Sequence, residues 1–150
     1  MERGPARAPG CGFCEIVAGT RAAHHVLTQG PVRAFLDHRP LFPGHTLVVP
    51  ATHVPTLNDL PDELLEPLWR VVRAVSRALM GGLGAEGTFT ATNTVVSQSV
   101  PHLHVHVVPR RRGDGLRGFF WPRHPYAGEA EAAAVAARLA GALAAELSGS

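Results

Sequence analysis

The feature that most constrains this chain is the run Pro101-His102-Leu103-His104-Val105-His106-Val107-Val108-Pro109. Three histidines alternate with aliphatic residues. A β-strand sends successive side chains to opposite faces, so this spacing predicts a strand. Its three imidazoles then share one face, each about 6.5–7 Å from the next, while the aliphatic set faces a core. Pro101 and Pro109 bracket the strand, where a lost ladder bond costs least. Any one of these histidines alone reads as ordinary packing. Three in register do not, because Lys, Glu or Thr would serve solubility better. Two chemistries suit such a face. One is a metal site. The other is phosphate chemistry, with imidazole as nucleophile and proton donor.

The rest of the chain narrows the class. At 150 residues it reads as one domain. Lys and Arg number 14 against 12 Asp and Glu, a formal charge of +2. Long basic runs are absent, so no nucleic-acid partner is expected. No stretch of 18 apolar residues occurs, so no membrane span is expected. Residues 1–10 lack an apolar signal-sequence core and read as a flexible lead-in. Two cysteines three apart do not make a secreted disulfide framework, and a cytoplasmic protein is the expectation. Cys11 and Cys14 on their own fit redox chemistry, zinc binding or neither. A thioredoxin-like βαβ context is missing, and zinc would need two further ligands from histidines or carboxylates.

In chain order, residues 11–19 read as a short turn or helix stopped by Gly19. Residues 24–28 and 32–37 form a predicted hairpin around Gln29-Gly30-Pro31. Thr46 to Pro50 is a third strand, and Thr88 to Val95 a fourth. Leu64, Leu68, Val71, Val72, Val75 and Leu79 recur at helical spacing, predicting a helix over 58–81. Pro67 predicts a kink or break within it. Glu129 to Leu147 is an Ala-rich helix. There Val135, Leu139, Leu143 and Leu147 step by four and predict docking on the domain or a partner subunit. His24, His25 and His38 carry no evident role, and Trp69 reads as packing.

His-Leu-His-Val-His-Val-Val resembles the signature of the histidine triad (HIT) superfamily. Gln98-Ser99-Val100 before it and Pro109-Arg110 after it are similar to that family too. Gly44-His45-Thr46-Leu47-Val48-Val49-Pro50 resembles a second family signature, and Phe35-Leu36-Asp37 a third. The matching features span roughly residues 11–112, as in bacterial HIT hydrolases. The resemblance implies an α+β fold: a five-stranded, mainly antiparallel sheet with one long helix and a C-terminal helix. Residues 113–150 would then be a loop and helix packed on the same domain. It also implies a homodimer with a continuous ten-stranded sheet.

The resemblance further implies a nucleotide-binding hydrolase or transferase. Its substrate would be a nucleoside phosphoramidate or dinucleoside polyphosphate, cleaved at the α-phosphate through a nucleotidyl-histidine. His104 would attack phosphorus. His106 would contact the phosphate and help neutralise developing charge or protonate the leaving group. Ser99 and Gln98 would donate hydrogen bonds to the phosphate, and His45 would support the set. Asp37 would hold the ribose, Phe35 and Ile16 would line the base pocket, and Asn93 would contact the nucleotide. Cys11, Cys14, His53 and His102 would bind a structural zinc. Dinucleoside polyphosphate phosphorolysis, a non-catalytic nucleotide-binding or adaptor module, and a zinc-stabilised structural protein stay open as alternatives. One departure concerns substrate choice: Asn93 to Gln98 is shorter than the usual family loop and has no glycine. Arg110 to Arg112 and Phe119-Phe120-Trp121 read either as a solvated exit or as a loop closing over the site.

Overall fold

The computed structural model describes residues 4–117 and 121–149. Phe119 and Phe120 lie outside the described residues. The chain divides into two units, Met1–Asp114 and Gly115–Ser150.

The first unit holds helix α1 (Gly12–Ala18) and strands β1 (His25–Gln29), β2 (Val32–Leu36) and β3 (Thr46–Pro50). Helix α2 (Asp62–Leu83), β4 (Gly87–Ala91) and β5 (Val105–Arg110) follow. Its five strands form one sheet in the order β1-β2-β3-β5-β4, every pair antiparallel. Period two sorts the side chains of each strand. Val32 and Ala34 of β2, Val48 of β3, and Val105 and Val107 of β5 pack with Leu68, Val71, Val72, Val75 and Leu79 of α2. Full burial of each such aliphatic side chain stabilises by about 1.5–3 kcal/mol. The intervening residues Phe35, Leu47 and Val49 face the other side, where Ile16 of α1 joins them and Phe13 packs against the group. His106 pairs across the sheet with Leu47. Its side chain therefore belongs to the α1 side.

The α+β architecture is the expected one, with some boundaries moved. The triad strand begins at Val105, not at His102. The backbone of the two residues after Pro101 is satisfied elsewhere: His102 N–H donates to Val100 C=O and Leu103 N–H to Val54 C=O. The β3–β5 ladder opens only at Val48 opposite Val105. Pro109 lies inside β5, which is tolerated because the β3 ladder ends at Val107. The expected break in the main helix comes before Pro67. A 3-10 turn at Leu57–Asp59, closed by a capping box between Thr56 and Asp59, gives way to Leu60-Pro61 before α2 starts. Helix α2 then runs through Pro67 and past Gly81 to Leu83. Gly84, at φ +69°, ends it, and the Arg111 guanidinium donates to the carbonyls of Leu83 and Gly84.

The second unit holds α3 (Glu129–Ser148), whose described residues are all partly or fully exposed. Among the described residues, no helix is long and apolar enough to cross a membrane.

Candidate active site and metal centre

Two imidazole clusters meet on the α1 side of the sheet. The first contains the expected nucleophile. His104 is buried and its Nδ1 lies 2.7 Å from the carbonyl oxygen of His102. A carbonyl only accepts, so Nδ1 carries the proton and Nε2 keeps its lone pair. Burial lowers the His104 pKa, against the opposing pull of that hydrogen bond and of the Asp37 carboxylate. The ring is therefore neutral at pH 7, as a nucleophile requires. The Phe13 ring stands edge-on to it at 5.0 Å, and Thr92 Oγ1 donates to the His104 carbonyl at 2.8 Å.

A chain of hydrogen bonds assigns the next two rings. The backbone N–H of Leu41 donates to His45 Nδ1 at 3.1 Å. His45 Nε2 then bears the proton and donates to His106 Nδ1 at 2.9 Å. That leaves His106 with its proton on Nε2. The His104 and His106 rings are 5.0 Å apart. Burial, and then the His104 and His45 rings, push the His106 pKa down to about 4. Burial also lowers that of His45, opposed by Asp37, whose Oδ2 lies 3.6 Å from His45 Nε2. His106 is thus a neutral N–H donor beside a neutral acceptor nitrogen. This protonation also argues against a cation held by Asp37, His45 and His106, although their ligand atoms are close.

The second cluster joins α1 to the residues around Pro101. His102 Nδ1 lies 3.5 Å from both Cys11 Sγ and Cys14 Sγ, and His53 Nδ1 lies 3.4 Å from Cys14 Sγ. All four ligand atoms fall within 4.8 Å of one another. Tetrahedral zinc with ordinary Zn–S and Zn–N bonds sets sulfur and nitrogen roughly 3.6 Å apart, so the residues fit the ion. His102 Nε2 donates to Pro50 C=O at 2.8 Å, which leaves Nδ1 free to ligate. The N-terminal residues contribute as well: His53 N–H donates to Ala6 C=O, and Ala8 N–H points at Cys14 Sγ. The lead-in residues are thereby tied to this cluster.

Beside both clusters opens a cavity of about 440 Å³, lined by Phe13, Ile16, Arg21, Phe35, Leu47 and Val100 among others. Phe13 and Phe35 meet edge to face at 5.4 Å. Phe35 and Ile16, expected around a base, border one space, and Phe13 in the same wall meets the His104 ring edge-on. A second, apolar hollow, bordered by Phe42, Pro43, Leu83 and Pro109, has no nucleophile in its lining.

Other expected contacts are arranged differently. Gln98 is committed to its own loop, accepting from Val95 N–H at 3.0 Å and donating to Pro55 C=O at 2.7 Å. Asn93 Nδ2 donates to Ser97 C=O. Both hold a turn in which Val95 and Ser97 adopt φ of +69° and +61°, a conformation β-branched residues avoid. Ser99 is exposed with no hydrogen bond among the described residues. Asp37 Oδ1 accepts from Arg39 N–H, and the rest of its carboxylate faces the histidines. Sequence reasoning overlooked Thr92 and Arg21. Thr92 carries no motif signal, and Arg21 could have been noticed only through Glu15 six residues earlier.

A model of the HIT domain matches residues 19–113. The chain belongs to the HIT family. An uncharacterized HIT-like protein of Mycobacterium tuberculosis is 38% identical over 120 residues, covering 77% of this chain and 83% of that protein. The adenosine 5'-monophosphoramidase hnt1 of Schizosaccharomyces pombe is 31% identical over 121 residues, 79% of this chain and 88% of its own. Among solved structures, a HIT family member from Bacillus subtilis superposes with a TM-score of 0.80 at 31% identity, covering 88% of this chain and 96% of that one. A zinc-bound histidine triad family protein from Mycobacterium smegmatis gives 0.69 at 38% identity, covering 89% and 97%. The five-stranded antiparallel sheet with its helices matches the HIT structures.

Proposed function

We propose that this HIT protein is a nucleotidyl hydrolase or transferase that cleaves nucleotide conjugates at the α-phosphate through a covalent intermediate on His104. The observation that carries the reading is the opposed protonation of two neighbouring rings: a bare Nε2 on His104 and an Nε2–H on His106, 5.0 Å between ring centres. The likeness to an adenosine 5'-monophosphoramidase supports the same class of reaction.

The steps follow from these positions. His104 Nε2 attacks the α-phosphorus, and the bond from phosphorus to the leaving nitrogen or oxygen breaks. The Nε2–H of His106 donates a hydrogen bond to the departing atom and stabilises the charge it develops, and the leaving group takes its proton from water. Water then attacks phosphorus and loses a proton to solvent, the phosphorus–nitrogen bond to His104 breaks, and a nucleoside monophosphate departs. Asp37 is assigned to the ribose hydroxyls, and the aromatic and aliphatic walls of the cavity to the base. Ser99, exposed and unpaired, is assigned to the phosphate oxygens. Gln98 and Asn93 act through the loop they hold, unless substrate exchanges their bonds.

The zinc-bound mycobacterial relative supports zinc at Cys11, Cys14, His53 and His102. Such an ion supplies fold stability and, with all four ligand places filled by protein, leaves no open position for water. His102 is then held by both its ring nitrogens, and its carbonyl holds the His104 ring in turn. Two copies are assigned to one dimer through β4, whose outer edge has no partner strand among the described residues. The free thiols of Cys11 and Cys14 suit the reducing conditions of a cytoplasmic protein.

The test is to incubate the protein with an adenosine phosphoramidate and, separately, with a diadenosine polyphosphate. After an acid-free quench, mass spectrometry should find a nucleotidyl group on His104, and AMP should accumulate. No adduct, no AMP, and a His104→Ala variant indistinguishable from wild type would sink the proposal.

A further inference from the structure

The cavity that receives the base in the reading above is bordered by three polar side chains that the reaction does not use, Arg21, His24 and His38, and of these the guanidinium is the one held in place. Arg21 follows α1, and its side chain folds back over the start of that helix. Its Nε donates to Glu15 Oε2 at 2.7 Å. A Cβ added to Gly12 would stand 3.1 Å from Arg21 Nη1 and 3.4 Å from Cζ, so the guanidinium lies against the bare Gly12 backbone. Held at these two points, the group lines the cavity together with Phe13, Ile16, Phe35 and Leu47. Among the described residues, no acceptor takes the Nη hydrogens.

Chemistry decides what such a group can meet. A guanidinium only donates. The apolar and aromatic walls suit the faces of a flat ring, so the arginine meets the ring's edge. Guanine offers two adjacent acceptors on one edge, O6 and N7, whereas adenine offers N7 beside the donor N6–H₂. Phosphate is a poorer occupant, because the Glu15 carboxylate that fixes the arginine would repel it. The Arg21–Glu15 pair is also neutral overall, which fits an uncharged base.

We propose that Arg21, oriented by Glu15 and by the bare backbone at Gly12, is the specificity-determining residue for the base and selects guanine over adenine. The inference rests on the cavity being the nucleotide site. The Arg21 side chain is 58% exposed, so water weakens the contact and the expected discrimination is about tenfold, near the low end for an arginine–guanine pair.

The experiment compares kcat/KM for guanosine, inosine, 7-deazaguanosine and adenosine phosphoramidates on wild type, Arg21→Ala and Glu15→Gln. Guanosine and inosine, which share O6 and N7, should exceed adenosine about tenfold. The 7-deaza analogue should lose most of that advantage. Arg21→Ala should bring the guanosine-to-adenosine ratio close to one, and Glu15→Gln should lower it part-way. A purely structural Arg21 would move all substrates together and leave the ratio alone. A wild-type ratio of one or less, or an unchanged ratio in Arg21→Ala, overturns the proposal. If no conjugate is turned over, the hydrolase reading fails separately. Calorimetric titration with GMP and AMP then decides the base question: about tenfold tighter GMP, lost in Arg21→Ala, upholds it, and equal or absent binding overturns it.

Discussion

His102 and His104 are two residues apart, both buried, and used through opposite ring nitrogens. His102 gives its Nε2 proton to Pro50 C=O and turns Nδ1 to the two sulfurs. His104 gives its Nδ1 proton to His102 C=O and keeps Nε2 free. In each case one backbone carbonyl settles which nitrogen holds the lone pair. The difference teaches that a histidine's role here is written in the main chain around it. The two clusters are also linked in series, because the carbonyl that orients His104 belongs to His102, one of the four residues of the Cys11, Cys14, His53 and His102 cluster.

The sharpest way to break this division is to remove one side at a time. His104→Ala should lower turnover on the order of 10⁴-fold or more, as expected when a covalent nucleophile is lost. Its zinc content, read by elemental analysis, should stay that of wild type. Cys14→Ser with His53→Ala should do the reverse first: bound zinc disappears and the thermal midpoint falls, because metal binding is folding free energy in such a site. Activity should then drop as well, since His102 is no longer pinned. Metal retained in the double variant, or lost in His104→Ala, would mean that the clusters are not the separate units described.

A smaller effect tests the inner half of the cluster proposed as catalytic. His45→Ala removes the donor to His106 Nδ1 and so frees the tautomer of that ring. Turnover should fall about 10–100-fold, the usual range when a residue orienting a functional histidine is lost. Zinc content should not change. Imidazole nitrogen resonances in ¹⁵N spectra should show a single His106 tautomer in wild type and a mixture in the variant. A wild-type rate in His45→Ala would remove His45 from the chain of hydrogen bonds as a working element.

These clusters differ in how far the amino-acid sequence announces them. Spacing alone predicts a strand and a shared imidazole face, because period two is a local property. It places the strand three residues too early, because the hydrogen bonds of His102 and Leu103 go to Val100 and Val54, and nothing local marks a partner 49 residues away. The helix-breaking force of Pro67 is likewise overridden by the buried face of α2, while the real break falls at Leu60-Pro61, where the residue before proline is held extended. The metal set was legible only through family resemblance, since Cys11-x-x-Cys14 by itself does not name His53 or His102. Thr92 was invisible and Arg21 nearly so, because both work through contacts that only the folded chain creates.

The pH dependence of stability sharpens the electrostatic side of the comparison. His106 is pushed down to about 4 in the fold by burial and neighbouring rings, and His45 is lowered by burial. Unfolded, each titrates near 6.5. Between these values the unfolded chain binds more protons than the folded one, so stability rises with pH across that window. Their contribution is fully present above about 6.5 and is lost as pH falls toward 4. Denaturant midpoints measured from pH 7 down to pH 4 should therefore decline, and His106→Asn should decline less steeply. A flat profile, or one that rises on acidification, would contradict the burial of neutral imidazoles at this site.

The least effect is expected where the two clusters share backbone. Thr92 Oγ1 donates to the carbonyl of His104, which follows the carbonyl of His102 along the same extended segment. Thr92→Val keeps the shape and leaves that partly buried acceptor without its hydroxyl. The cost should be about 1 kcal/mol of stability, the usual net worth of one such bond. Because the bond reaches the main chain of His104 and not its ring, the Nδ1 proton should stay directed at His102. Turnover should then fall only a few-fold, with KM unchanged. A loss as large as that of His45→Ala would mean that the ring of His104 is oriented by its own peptide plane, with the His102 carbonyl as a secondary restraint.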